Sequence, residues 1–162
     1  MSHLSSTVFF NHFLRERGVS NEIRSLLYHM ARSAKYINFS LRAGNTGKSA
    51  TFNETGDQQV DMDLITDRII FDEIVKSELV SAIVSEERDG IEEIDAPRGN
   101  LLVAYDPLDG SSLVEADMAI GTIFGVWDKD SFLGTTAGEG MIASCYAIYG
   151  PQVRLILSLI HI

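Results

Sequence analysis

The sequence predicts a layered fold of the α/β or α+β class. Apolar residues recur at helical spacing through its first half. Short apolar runs of strand length, bounded by Gly, Pro, Asn and Asp, follow from Val80 onward. Neither an internal repeat nor a linker divides the 162 residues, so they suit one domain or part of a larger one.

Thr7–Glu16 reads as a short helix ending near Gly18. Ser20 is an N-cap candidate with Glu22 close behind it. Ile23, Leu26, Leu27, Met30, Ala34, Ile37 and Leu41 then define a long helix that should end before Gly44. This stripe suits core or subunit packing. Gly44–Thr55 reads as a polar loop. Its Gly47-Lys48-Ser49 resembles the end of a phosphate-binding P-loop, but Arg42 stands where that motif needs its first glycine. Asp61–Leu79 is a third helix, with Leu64, Ile65, Ile69, Ile70, Ile74 and Val75 as its apolar side.

Val80–Val84 is an apolar strand running into Ser85-Glu86-Glu87, and Asp89–Asn100 is a polar turn region. Leu101–Tyr105 is a second strand, running into Asp106-Pro107-Leu108-Asp109-Gly110-Ser111-Ser112. Met118–Trp127 is a third strand and Asp128–Gly138 a loop. Met141–Tyr149 reads as a helix stopped by Gly150-Pro151, and Val153–Ile160 as a last strand. A domain normally covers such a strand with further elements, so the chain is expected to be incomplete.

Charge narrows the function. The net charge is −10 and no basic face is visible, which argues against nucleic acid as a partner. No apolar run is long enough to span a bilayer, and Met1–Phe13 lacks the pattern of a secretory signal. Cys145 is the sole cysteine, so a reducing compartment such as the cytoplasm is expected, with Cys145 as a buried, inert thiol. His3, His12, His29 and His161 show no ligand spacing for zinc. Of the 23 acidic residues, 16 fall between Glu54 and Asp109, a stretch with only four basic residues.

Two apolar strands each end in a carboxylate pair: Glu86 and Glu87 after the first, Asp106 and Asp109 after the second. If the strands are neighbours, four carboxylates meet at one sheet edge, where ligands of α/β sheets bind. Unpaired, they would repel and raise each other's pKa values. A hard divalent cation such as Mg²⁺ removes that conflict, binding carboxylates together with phosphate oxygens. Pro107 restricts the backbone between the aspartates, and the Leu108 carbonyl could face the metal as well. Gly110 permits close backbone approach to a ligand, and Ser111 and Ser112 could donate to a phosphate. Either piece alone reads as a surface turn. Together, twenty residues apart at strand ends, they point to a metal site.

Asp106-Pro107-Leu108-Asp109-Gly110-Ser111-Ser112 resembles the signature loop of class I fructose-1,6-bisphosphatases and the related sedoheptulose-1,7-bisphosphatases. These belong to a superfamily of metal-dependent phosphatases that includes the inositol monophosphatases. Val84-Ser85-Glu86-Glu87 resembles the family's paired-glutamate motif, and Thr55-Gly56-Asp57-Gln58, followed by Asp63, resembles another segment. Gly121-Thr122-Ile123-Phe124-Gly125 and Tyr146-Ala147-Ile148-Tyr149-Gly150 are similar too. The resemblance runs from about Ser20 to Leu157 and covers the N-terminal half of a family chain, with residues 158–162 departing from it.

The resemblance implies an α+β fold, the N-terminal portion of a layered αβαβα sugar-phosphatase, across residues 1–162. It implies hydrolysis of the 1-phosphate of fructose 1,6-bisphosphate, in gluconeogenesis or carbon fixation, by a water activated with Mg²⁺ or alternatively Mn²⁺. Glu86, Asp106, Asp109 and the Leu108 carbonyl would be metal ligands, and Asp57 would contact a further ion or its water. Glu87, with Asp63, would polarise the water. Asp109, Gly110, Ser111 and Ser112 would hold the phosphate. The full-length protein would be a homotetramer, and this chain alone inactive because part of the site lies in the other half.

Leu113 stands where many relatives carry Asn. Asn100 and Leu101 stand where animal members carry the basic residue and tyrosine that bind inhibitory AMP, which argues against that regulation. Rival readings are a sedoheptulose-1,7-bisphosphatase, a phosphatase of inositol phosphate or adenosine bisphosphate, and a non-catalytic acidic metal-binding module.

Overall fold

A computed structural model describes residues 6–46, 57–96, 99–110, 120–136 and 138–159. Its helices are α1 (Ser6–Glu16), α2 (Asn21–Thr46) and α3 (Asp57–Val75). Its strands are β1 (Val80–Ser85), β2 (Glu92–Glu93), β3 (Leu101–Asp109), β4 (Ile120–Asp128), β5 (Met141–Tyr149) and β6 (Arg154–Leu159). The fold is α+β, as the sequence predicts.

The strands form one sheet in the order β2-β1-β3-β4-β5-β6. The β1–β3 pair is parallel and every other pair antiparallel. Ser20 caps α2, its Oγ accepting from the Ile23 N–H at 3.3 Å. The predicted stripe of α2 supplies Leu26, Leu27, Met30, Ala34 and Ile37 to the core, where Ile70 and Ile74 of α3 and Ile83, Val103 and Phe124 of the sheet join them. The buried Glu73 of α3 pairs with Arg32 and His29 of α2 and with Lys76, tying the two helices together. The Arg42 guanidinium of α2 donates to the carbonyls of Gly150 and Pro151 at 3.0 and 3.2 Å, anchoring that helix to the β5–β6 turn.

Four expectations are corrected. Met141–Tyr149 is a strand, not a helix. Ala143, Cys145, Ala147 and Tyr149 alternate inward and Tyr146 faces out, and pairing with β4 and β6 on both sides overrides the helix propensity of Met and Ala. α3 starts four residues earlier than expected and stops at Val75, where Lys76–Glu78 turn with Glu78 at a φ of 59°. α2 runs past Gly44 to Thr46, and the rest of the expected loop, residues 47–55, lies outside the described residues. Glu92–Glu93, read as turn, pairs with Ile83 and Ala82.

Cys145 is buried as expected, and burial pushes its thiol up to about 12. No described helix is long and apolar enough to cross a membrane.

Candidate active site

The parallel pairing of β1 and β3 sends both strand ends to one edge, with Ser85 opposite Tyr105. The ladder continues one step further, as the Glu86 N–H donates to the Tyr105 carbonyl at 3.2 Å. Glu86 therefore lies beside Asp106. Burial, the neighbouring Glu86 carboxyl and the charge of Asp109 push Asp106 up to about 6, against the opposing pull of the Leu108 N–H on its Oδ1 at 3.0 Å.

The sequence reading ended the strand at Tyr105 and placed both aspartates in a loop. Instead β3 continues to Asp109. Asp106 pairs with Ile123 and Asp109 with Gly121, so three steps on β3 match two on β4: a β-bulge at Pro107 and Leu108. Residues three apart on a regular strand face opposite sides. The extra residue returns Asp109 to the face of Asp106. The Thr122 hydroxyl donates to the Pro107 carbonyl at 2.7 Å and lies 2.6 Å from the Tyr149 hydroxyl, all buried beneath the bulge. Pro107 is tolerated because β1 has already ended alongside it, leaving no ladder partner on that side. Leu108 packs into the core. Gly110 ends the strand at a φ of 80°, a conformation that favours glycine.

α3 packs on β1 and β3 and brings Asp63 to the same edge. Partial burial and the charges of Asp63, Glu86 and Asp67 raise the Glu87 carboxyl above its ordinary range. The structure thus gathers Asp63, Glu86, Glu87, Asp106 and Asp109. Asp57 is the first residue of α3, but its side chain is not among those described, and Ser111, Ser112 and Leu113 lie outside the described residues. Beside Asp109, a shallow hollow of about 220 Å³ is lined by Ile120, Gly121, Ile123 and Tyr146.

The donor set fits a hard cation in kind: carboxylates alone, with Glu86 and Asp106 side by side at the strand ends. Among the described residues, no group of three or more Asp, Glu, His or Cys side chains is placed to hold a metal ion.

Sequence reasoning missed Asp67. This buried carboxylate lies one helical turn beyond Asp63 and accepts from Ser85 Oγ at 2.7 Å, the Tyr105 hydroxyl at 2.9 Å and the Arg88 guanidinium at 2.7 Å. Its i+4 spacing from Asp63 was the available signal.

The fold is shared with the crystal structure of a Leishmania major fructose-1,6-bisphosphatase in holo form. The TM-score is 0.78 at 25% identity, covering 98% of this chain and 49% of that one. That makes it the α+β fold of the sugar phosphatases. A family model described as fructose-1-6-bisphosphatase, N-terminal domain, matches residues 5–161, past Leu157 where the resemblance was expected to end. The chain belongs to the fructose-1,6-bisphosphatase family. It is 39% identical over 150 residues to the class 1 enzyme of Trichlorobacter lovleyi, covering 92% of this chain and 47% of that protein. It is 34% identical over 148 residues to the chloroplastic sedoheptulose-1,7-bisphosphatase of Triticum aestivum, covering 91% of this chain and 37% of that protein. The chain spans about half the length of the class 1 relatives it matches.

Proposed function

We propose that this chain supplies the metal-carboxylate half of a fructose-1,6-bisphosphatase, the reaction being hydrolysis of the 1-phosphate to fructose 6-phosphate and phosphate. The observation that carries this reading is the meeting of Glu86 with Asp106 at the parallel strand ends, with Asp109 turned to the same face by the bulge. Glu86, Asp106 and Asp109, with the Leu108 carbonyl, would hold Mg²⁺ or Mn²⁺, and Asp57 a further ion. Such a cation lowers the pKa of water and neutralises charge on the phosphoryl group. Glu87 accepts the proton of the attacking water, and Asp63 beside it keeps that carboxylate basic. Gly110 with Ser111 and Ser112 receives the phosphate. The domain spans residues 1–162 and belongs to a larger, cytoplasmic, homotetrameric protein, without which the chain alone is inactive.

The similarity to the wheat protein supports a second reading, sedoheptulose 1,7-bisphosphate as substrate. The test is phosphate release from each sugar bisphosphate, with and without Mg²⁺, by this chain and by the reading frame that carries it. Mg²⁺-dependent release by the latter, lost in Asp109→Ala, is expected. Release that persists without metal or in Asp109→Ala overturns the reading.

A further inference from the structure

Arg88 follows the acidic pair directly, and an arginine there could neutralise Glu86 or Glu87 and compete with a cation. It does not point its charge at them. Its Nε and one terminal nitrogen donate to Asp67 Oδ2 at 2.7 Å, the other nitrogen donates to Glu92 at 2.6 Å, and its face lies 4.0 Å from the Phe71 ring centre. Asp67 is 5% exposed, so this pairing is shielded from solvent.

The other oxygen of Asp67 binds the two strands. Oδ1 accepts from Ser85, the residue before Glu86, and from Tyr105, the residue before Asp106. Ser85 Oγ in turn accepts the Glu87 N–H at 3.2 Å. One buried carboxylate on α3 therefore holds the residue before the acidic pair, the residue after it, and the residue before the facing aspartate.

We infer that Asp67 is a positioning residue for the metal site: it fixes the Glu86–Glu87 turn against Asp106 and holds the Arg88 charge away from the carboxylates. The inference rests on the metal-site reading above. It touches neither cation nor substrate and acts through Ser85, Tyr105 and Arg88.

The test is Mn²⁺ binding by the 162-residue chain, followed by the electron paramagnetic resonance of free Mn²⁺, with the thermal midpoint recorded for every variant. Asp67→Asn should weaken Mn²⁺ binding by about tenfold or more, the scale on which groups orienting metal ligands act. The double variant Asp67→Asn with Arg88→Gln should recover most of that loss, because the released cation is gone. Ser85→Ala keeps the ion pair and removes only the hydroxyl that receives the Glu87 N–H. It should also weaken binding while remaining folded, and serves if Asp67→Asn does not fold. Glu73→Gln, which disrupts the ion cluster between α2 and α3, is the stability control and should lower the midpoint without changing Mn²⁺ affinity. Wild-type affinity in both Asp67→Asn and Ser85→Ala overturns the inference. So does an equal loss in Glu73→Gln at a comparable midpoint, which would reduce Asp67 to a stabilising residue. No Mn²⁺ binding by the wild-type chain moves the same variants to the protein that carries it, and no Mn²⁺ binding by that protein either removes the metal-site reading itself, and the inference with it.

Discussion

Asp106 and Asp109 face the same side of the sheet although they stand three residues apart on β3, because the bulge at Pro107 and Leu108 adds one residue against β4. The Thr122 hydroxyl fastens that bulge through the Pro107 carbonyl and the Tyr149 hydroxyl. Thr122→Val keeps the shape and removes both bonds, leaving two buried polar groups without partners. Unfolding free energy should fall by about 1–3 kcal/mol in urea titration. Mn²⁺ affinity should fall with it as the two aspartates lose their common direction, and unchanged affinity would detach the bulge from the metal site.

The crowding of Asp106 gives a pH dependence of definite sign. Its folded pKa is pushed up to about 6 from 3.8, so the folded state binds a proton that the unfolded state has released. Its contribution to stability is fully present below the unfolded value and is lost as pH rises from there through about 6. Glu87, also raised, acts in the same direction, whereas Glu73, whose pairing with Arg32 and Lys76 prevails over its burial, acts in the opposite one. The contribution of Asp106 is therefore read as a difference. Urea unfolding of the metal-free chain across this range should show a steeper loss of stability with rising pH in the wild type than in Asp106→Asn. Saturating Mg²⁺ should remove that loss by favouring the ionised form. Parallel profiles for wild type and variant would overturn the assignment.

How much was legible in the sequence depended on whether the deciding contact was local. The α2 stripe and its Ser20 cap are encoded within a few residues of each other, and the structure keeps both. The paired acids at two strand ends were legible because Val80–Val84 and Leu101–Tyr105 are plain apolar runs. Their adjacency was a condition that only the sheet order satisfies. Met141–Tyr149 was misread because Met and Ala suit a helix, and its strand state depends on partners on both sides. The bulge and the reach of Asp67 were illegible for the same reason: Thr122, Tyr149 and Ser85 come from distant parts of the chain.

Gly121 sits opposite Asp109, and a Cβ there would lie 2.6 Å from the Ala147 carbonyl oxygen of β5. Backbone cannot step aside as a side-chain tip can, so Gly121→Ala should force β4 and β5 apart at the site. A loss of about 1–3 kcal/mol in unfolding free energy is expected. Gly134→Ser, whose Cβ would meet nothing within 4 Å but whose φ is 78°, separates backbone strain from this steric effect. Equal midpoints for Gly121→Ala and wild type would show that the two strands can accommodate the methyl.

Glu87 and Asp63 supply the remaining prediction. Partial burial and neighbouring charge, Asp63 foremost, raise the Glu87 carboxyl above its ordinary range, which makes its carboxylate a stronger base. In the protein that carries this chain, Glu87→Gln should lower kcat for fructose 1,6-bisphosphate by about 10²–10⁴-fold, the usual share of a positioned general base. KM and Mn²⁺ affinity should move little, since Glu87 is assigned neither to the cation nor to the phosphate. Asp63→Asn should act more gently and with a different signature. Removing its charge lets the Glu87 pKa fall, so the acidic limb of the kcat profile should shift to lower pH while the maximal rate declines. A Glu87→Gln variant that loses Mn²⁺ instead of turnover would reassign Glu87 as a ligand, and an unmoved acidic limb in Asp63→Asn would separate Asp63 from the proton transfer.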